Sequence, residues 1–357
     1  MVRRPRLLFV PVMAMTVLLL AQAPLGADNL LLDRFRDYLE SLRIQAAIPG
    51  MASALVGQRD ILWERAFGYQ DLERSITATT DTPFAVDGLT QTLTAAIILR
   101  CVEEGRLSLD DRVERFKASS PDPNATLRDL LTHVSGTPEA RVFSYRPERL
   151  EVLALAIRAC TGDSYRETLA NLLARLAMRD SVPGADIIHV VPPAEGVPAP
   201  ADVERYASTL GHLAVPYSVD TSGRASPSQY GTTTLTPGTG LISTVRDLAQ
   251  FDLALKNGLL VRPDTVAAAW RPPLDREGRP LPHGVGWFVQ TYNGELITWQ
   301  IGVNENASSS LVVTVPGRGL TLILLANSDR LVRPFVLTGG DLLTSPFGRL
   351  FLGLFVR

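Results

Sequence analysis

Few side chains in this 357-residue sequence carry an amine that could take a proton from a nucleophile. Its 35 basic residues comprise 33 arginines and two lysines, Lys117 and Lys256. A serine hydroxyl becomes an effective nucleophile when a neighbouring base takes its proton. A lysine three residues further along a helix would lie on the same face as the serine. Neither lysine has such a serine, because Glu114 and Leu253 occupy those positions. The chain therefore contains no Ser-x-x-Lys pair.

The histidines and cysteines do not indicate a metal site. The four histidines are scattered, and two cysteines cannot form a multi-cysteine zinc site. We therefore predict neither a metal centre nor another cofactor. His133 is conspicuous because Ser135 follows it closely, but that spacing does not suggest triad geometry. We interpret His133 as a hydrogen-bonded structural residue.

Composition limits the classes of partner. The formal net charge is −2, with 46% hydrophobic and 20% charged residues, so the chain can bury a sizeable core. Sequence-independent binding to nucleic acid requires clustered positive charge, which this balance does not support. We predict no nucleic-acid partner.

The N-terminal segment has the pattern of an export signal. Three arginines within the first six residues precede an apolar run over residues 7–20, and small residues follow up to Ala27. The run is shorter than the ~20 residues of a spanning helix, and Pro11 interrupts it. We predict a signal peptide over residues 1–27 and a periplasmic or extracellular protein. Membrane attachment is expected only if this segment is retained.

Export would permit a disulfide between the two cysteines. Cys101 and Cys160 both lie in predicted helices, and the sequence does not determine whether they meet. Two buried free thiols are the interpretation we favour slightly.

Hydrophobic periodicity predicts strands near both ends of the mature chain and helices between them. Predicted helices cover residues 29–44, 89–104, 127–131, 150–159, 165–178 and 242–255. Predicted strands cover residues 50–56, 61–68, 286–292, 295–299, 309–315 and 320–326. Residues 181–237 are rich in Pro, Gly, Ser and Thr, and we predict an irregular connection with small elements. The apolar segment 347–355 predicts a terminal helix.

This order predicts an α/β (α+β) fold. An antiparallel sheet would form from the N- and C-terminal segments, with flanking helices and an all-helical region. We predict one domain over residues 28–357, with a helical subregion over about residues 85–235 inserted between the sheet-forming segments.

Several stretches, in order over about residues 45–330, resemble the serine β-lactamase and penicillin-binding-protein superfamily in its class C β-lactamase-like branch. They are Ile48-Pro49-Gly50-Met51, Thr82-Pro83-Phe84, Thr94-Ala95-Ala96, residues 102–111, residues 127–136, Phe143-Ser144-Tyr145, residues 240–248, Gly286-Trp287 and residues 324–327. The resemblance implies a mixed α/β domain around an antiparallel sheet, beside an all-helical region.

The resemblance also implies a Ser-x-x-Lys motif at the start of the long helix. Gly88 falls on the serine position and Gln91 on the lysine position. Glycine carries no nucleophile, and a glutamine amide is not a general base near neutral pH. Thr90 would face elsewhere and Thr92 would lie a turn deeper. Asp87 is explained structurally as an N-terminal capping residue.

The other two family motifs are also altered. Tyr-x-Asn, which moves protons and orients the substrate amide, reads Tyr145-Arg146-Pro147, so the asparagine is missing. The motif that places a cation on a cleft strand reads Trp299-Gln300-Ile301-Gly302, with Gln300 in the cation position. Gly302 would still allow a ligand or backbone to approach. Pro147 and Gly302 are thus candidate cleft residues.

These substitutions favour an exported pseudoenzyme with no intact catalytic residue. Its function would then be to bind a peptide, a glycan or a protein partner in the cleft, or to act as a scaffold. The alternative is an active serine hydrolase, of β-lactamase, D-alanyl carboxypeptidase or esterase type, with relocated catalytic groups. A third hypothesis is assembly through residues 347–355, although a buried terminal helix is the more ordinary explanation of that segment.

Overall fold

A computed structural model describes residues 25–116, 122–136, 141–190, 196, 198–231 and 234–356. Most of the predicted signal peptide, and Lys117, lie outside these residues. The helices are α1 (Leu25–Gln45), α2 (Thr90–Glu103), α3 (Leu127–Leu131), α4 (Leu153–Thr161), α5 (Tyr165–Arg175), α6 (Pro200–Gly211), α7 (Val245–Lys256), α8 (Pro263–Ala269) and α9 (Pro346–Phe355). In the described residues, none of them is long and apolar enough to cross a membrane.

In the part of the chain that the structure describes, the strands divide between one large sheet and three small ones. They are β1 (Gly50–Val56), β2 (Ile61–Asp71), β3 (Ile76–Thr77), β4 (Phe84–Ala85), β5 (Val134–Ser135), β6 (Val142–Phe143), β7 (Val182–Pro183), β8 (Tyr217–Val219), β9 (Ala225–Pro227), β10 (Leu241–Ser243), β11 (Phe288–Tyr292), β12 (Glu295–Asn304), β13 (Ser308–Val315) and β14 (Leu320–Ala326). Among the described residues the large antiparallel sheet has the order β11-β12-β13-β14-β1-β2-β3.

The two ends of the chain meet in the middle of this sheet. Strand β1 pairs with β14, with Met51 opposite Ala326, and pairs on its other side with β2. The turn-forming residues 57–60 close the β1–β2 hairpin where the sequence predicts it. The predicted fold class, an antiparallel sheet closed by both termini with added helices, is therefore confirmed.

Alternation along the central strands places apolar residues on both faces of the sheet. Every residue of β1 is buried. Ala52 and Ala54 contribute to the core shared with α2, α4, α5 and α7. Met51 and Leu55 contribute to the opposite core, formed with α1 and α9. The sheet is thus a middle layer, and continuous burial of β1 follows from cover on both sides.

The C-terminal helix packs on this second core. Phe347, Phe351 and Leu352 are buried, and α9 lies against α1. The apolar face of residues 347–355 is therefore used within the chain, which removes the basis for assembly through it.

Two predicted elements differ from the structure in type. Residues 181–237 contain a full helix, α6, which begins with Pro200 in its first turn. The Pro- and Gly-rich flanks conceal its helical spacing, and proline is favoured where a helix begins. Residues 241–243 form strand β10, so the helix predicted from residue 242 begins at Val245. Thr244 caps it by accepting a hydrogen bond from Asp247 N at 3.1 Å.

The preference for two free thiols is wrong. Cys101 on α2 and Cys160 on α4 form a disulfide, with their Cα atoms 6.2 Å apart. The two helices pack against each other in the helical region. Sequence periodicity predicts each helix but not this contact between them.

Candidate functional site

The start of α2 touches strand β12 directly at two glycines. Gly88 lies in a short 3₁₀ turn, residues 87–89, that leads into α2. A Cβ atom on Gly88 would lie 2.4 Å from Ile301 O and 2.8 Å from the Tyr145 hydroxyl. On the facing strand, a Cβ atom on Gly302 would lie 2.1 Å from Val86 O. These distances are below van der Waals contact, so neither position has room for a side chain.

Replacing Gly302 by alanine should therefore destabilise the fold. We expect Gly302→Ala to lower the free energy of unfolding by about 1–3 kcal/mol, because its Cβ would force β12 away from the turn. Urea denaturation followed by circular dichroism measures this change. Gly353→Ala on α9 is the matched control, because no atom lies within 4 Å of its added Cβ. Equal stability of Gly302→Ala and the native chain would show that strand and turn do not touch.

Gln91 is the second residue of α2, three residues after Gly88, and is fully buried. Its amide Nε2 donates to the Tyr145 hydroxyl at 2.8 Å. Its Oε1 lies 2.7 Å from His133 Nε2. The backbone N–H of Arg146 donates to His133 Nδ1 at 3.1 Å, so the ring proton is on Nε2 and is donated to Gln91. Gln91 therefore accepts a hydrogen bond from His133 and donates one to Tyr145. A lysine ammonium could only donate, so it could not replace Gln91 here.

Gln300 completes the network from the strand side. Its Oε1 accepts a hydrogen bond from the Tyr145 hydroxyl at 3.2 Å. The same hydroxyl oxygen also lies 3.2 Å from Ile301 O. Gln300 Nε2 donates to Gly286 O at 3.1 Å and to His283 Nε2 at 3.3 Å. His283 Nδ1 in turn donates to Gly284 O at 2.6 Å. We call Gln91, His133, Tyr145, His283 and Gln300 the amide–imidazole network.

The network is electrically neutral near neutral pH. Burial lowers the pKa of His133 well below its ordinary value, and His283 and Arg149 lower it further. Burial also lowers the pKa of His283 to about 3. Burial raises the pKa of the Tyr145 phenol, although the hydrogen bond from Gln91 opposes this. The imidazoles are therefore uncharged and the phenol keeps its proton, so Tyr145 is a poor nucleophile.

Asp87 does not cap α2, which corrects its sequence-based interpretation. Its backbone has a positive φ of 48°. The N-cap position of α2 is Leu89, and no side chain makes a capping hydrogen bond there. The Asp87 carboxyl group accepts from Ser308 Oγ at 2.7 Å and from Asn304 Nδ2 at 3.2 Å. Burial raises the pKa of Asp87 to about 6. Asp87 thus ties the turn before α2 to the β12–β13 hairpin.

The neighbouring hydroxyls also serve structure. Thr90 Oγ1 donates to Asp87 O at 2.6 Å, and Thr92 Oγ1 donates to Leu89 O at 2.8 Å. Pro147 begins a 3₁₀ turn whose backbone lies against Gly238.

Among the described residues, no group of three or more histidine, cysteine or acidic side chains is placed to hold a metal ion.

The structure brings together Gly88, Gln91, Tyr145, Gln300 and Gly302 as the motif alignment predicts, with Pro147 nearby. His133 is a buried, hydrogen-bonded residue, in agreement with its interpretation. Sequence reasoning does not identify His283, because it lies 150 residues from His133 in the chain and belongs to no motif. In the structure the two ring centroids are 4.8 Å apart. Only the position of His283 three residues before Gly286-Trp287 could have drawn attention to it.

Comparison with known proteins gives a consistent assignment. A family model described as Beta-lactamase matches residues 33–339. Penicillin-binding protein 4* of Bacillus subtilis (strain 168) is 23% identical over 307 residues, covering 76% of this chain and 66% of that protein. Protein flp of Staphylococcus aureus (strain NCTC 8325 / PS 47) is 31% identical over 97 residues, covering 26% and 20%. The chain thus spans less than two thirds of the length of these curated relatives.

Solved structures show the same fold. The octameric penicillin-binding protein homologue from Pyrococcus abyssi has a TM-score of 0.70 at 20% identity, covering 90% of this chain and 77% of that chain. The D-amino acid amidase from Ochrobactrum anthropi SV3, complexed with L-phenylalanine amide, has a TM-score of 0.62 at 19% identity, covering 84% and 91%.

Proposed function

Because the chain belongs to the β-lactamase family, we propose that it is an exported member of that family without acyl-transfer activity. The observation that carries this proposal is the closed position at Gly88. A nucleophilic side chain there would meet the backbone oxygen of Ile301 and the hydroxyl of Tyr145. A reacting carbonyl would need the space that these two groups occupy.

The chemistry around this position supports the same conclusion. Acyl transfer needs a nucleophile, a base that takes its proton and groups that stabilise the developing charge. The network offers amides and neutral imidazoles whose donors and acceptors are already used by one another. A ligand reaching Gly88 would have to break these bonds. We therefore propose a binding or scaffolding role that does not use this position.

Export is supported by the disulfide and the sequence of the N-terminal segment. A disulfide between Cys101 and Cys160 persists in oxidising compartments such as the periplasm or the extracellular space. The same compartment follows from an export signal over residues 1–27. We propose that the mature chain resides there.

Hydrolysis assays test the loss of activity. The purified chain should hydrolyse a chromogenic cephalosporin, a D-alanyl-D-alanine peptide, D-phenylalanine amide and p-nitrophenyl acetate no faster than buffer does, because it lacks an activated nucleophile. Tyr145→Phe is the informative control, since Tyr145 is the one family residue of the three motifs that keeps its ionisable group. Turnover by the native chain that disappears in Tyr145→Phe would establish an active hydrolase with relocated groups.

A further inference from the structure

A cavity of about 250 Å³ lies between the large sheet and the helices that cover it. Helix α7 lines it with residues three or four apart, which places them on one face. Strands β12, β13 and β14 supply the opposite wall. Exposed Gln58 and Pro263 are among its lining residues, so the cavity reaches the surface. Protein interiors leave few voids larger than a water molecule, so a space of this size is unusual.

The walls are mainly apolar and partly aromatic. Leu248, Phe251 and Leu255 line the cavity from α7. Trp270 and Trp287 line it together, with their rings in an edge-to-face arrangement and centroids 6.4 Å apart. Such walls favour a ring-containing ligand, because aromatic rings contribute large contact areas and defined packing geometries.

The charged groups at the cavity are already paired. Lys256 Nζ lies 2.7 Å from Asp252 Oδ2. It also donates to Gly57 O at 3.0 Å and to Val56 O at 3.2 Å. Thr321 donates to the other Asp252 oxygen at 2.9 Å. No net charge remains to offset the desolvation of an ionic ligand, so the cavity favours a neutral one.

Three lining residues carry buried polar atoms without a hydrogen-bond partner among the described residues: Asp252 Oδ2, Thr298 Oγ1 and Trp270 Nε1. Asp252 Oδ2 has the ammonium of Lys256 as its ion-pair partner at 2.7 Å, which leaves Thr298 Oγ1 and Trp270 Nε1 to be explained. Buried polar groups in folded proteins are nearly always paired, so each unpaired group needs an explanation. Thr298 lies two residues before Gln300 on β12, and alternate strand residues share a face. The cavity is therefore next to the amide–imidazole network and outside it.

We propose that this cavity binds a small neutral molecule with one hydrocarbon ring and a single hydroxyl or carbonyl oxygen. A cavity of 150 Å³ holds benzene, so this one holds roughly ten non-hydrogen atoms. The ring contacts the two tryptophans, and the oxygen accepts a hydrogen bond from Thr298 or Trp270. This inference does not depend on the loss of acyl transfer, since none of these residues belongs to the three family motifs.

Calorimetric titration with three matched probes tests the proposal. We expect 4-isopropylphenol to bind saturably at one site, cumene to bind about tenfold more weakly because it lacks the oxygen, and 4-isopropylbenzoate not to bind. Thr298→Val removes the hydroxyl at nearly constant volume. It should weaken phenol binding up to about tenfold, leave cumene binding unchanged, and leave the thermal midpoint equal or higher, because an unpaired hydroxyl is lost.

A second pair of variants tests the location. Val312→Phe should fill the cavity and abolish binding of both neutral probes, whereas Val303→Phe, an exposed strand position outside the cavity, should bind as the native chain does. Absence of saturable binding to the native chain, or equal affinity for the phenol and cumene, would overturn the proposal. So would unchanged phenol affinity in both Thr298→Val and Trp270→Phe. Hydrolysis of any substrate would contradict the proposed function and leave these results unaffected.

Discussion

The double variant Gly88→Ser/Gln91→Lys is expected to lose about 3 kcal/mol or more of its free energy of unfolding and to gain no β-lactam hydrolysis. The new Cβ would lie 2.4 Å from Ile301 O, so strand and turn must separate. The lysine would place an ammonium where the Gln91 oxygen now accepts a hydrogen bond from His133. Two hydrogen-bond donors, the ammonium and the imidazole N–H, would then face each other. A buried charge without a counter-ion is among the most destabilising changes known in proteins.

Urea denaturation and turnover of a chromogenic cephalosporin measure the two parts of this prediction. Gly353→Ser is the control for introducing a serine at a glycine, because position 353 has no neighbouring atom within 4 Å of an added Cβ. Native-like stability together with substantial turnover would contradict the account. It would mean that Pro147 and Gln300 matter less than the two restored residues.

Loss of the disulfide is the second large expected effect. Cys101→Ala/Cys160→Ala should lower the free energy of unfolding by about 4 kcal/mol, because the crosslink closes a long loop in the unfolded chain. The two cysteines are 59 residues apart in sequence. Urea denaturation of the native chain with and without dithiothreitol should show the same loss on reduction, and the double variant should not respond to the reductant.

Alkylation provides the complementary measurement. The denatured native chain should take up iodoacetamide at both cysteines only after reduction. Two modified cysteines without reductant, or an unfolding midpoint that dithiothreitol does not move, would contradict the disulfide. They would also remove one of the two supports for an oxidising compartment.

The sequence predicts most of the large sheet because strands and turns are marked by patterns of neighbouring residues. Alternation and turn residues place β1 and β2, β13 and β14 to within a residue or a few. Strand β12 extends five residues beyond its predicted end at Trp299, since Gln300, Gly302 and Asn304 interrupt the apolar pattern. Those polar residues are buried by partners distant in sequence, such as His283 and Asp87. Local periodicity cannot predict such partners.

The candidate site is likewise predicted in its residues but not in its contacts. Motif spacing predicts that Gly88, Gln91, Tyr145 and Gln300 share one region. It cannot predict that β12 approaches the turn closely enough to exclude a side chain at Gly88, because that distance depends on packing of the whole sheet against α2. Likewise, the direction of the Asp87 side chain follows from a positive φ that the sequence does not reveal.

Intact-mass spectrometry after incubation with benzylpenicillin and, separately, with a fluorophosphonate tests the central claim most directly. An acyl or phosphonyl adduct forms only on an activated nucleophile. The account predicts that the mass of the mature chain stays unchanged under both treatments. A stoichiometric adduct that maps to a serine, threonine or tyrosine around Gly88 would contradict it.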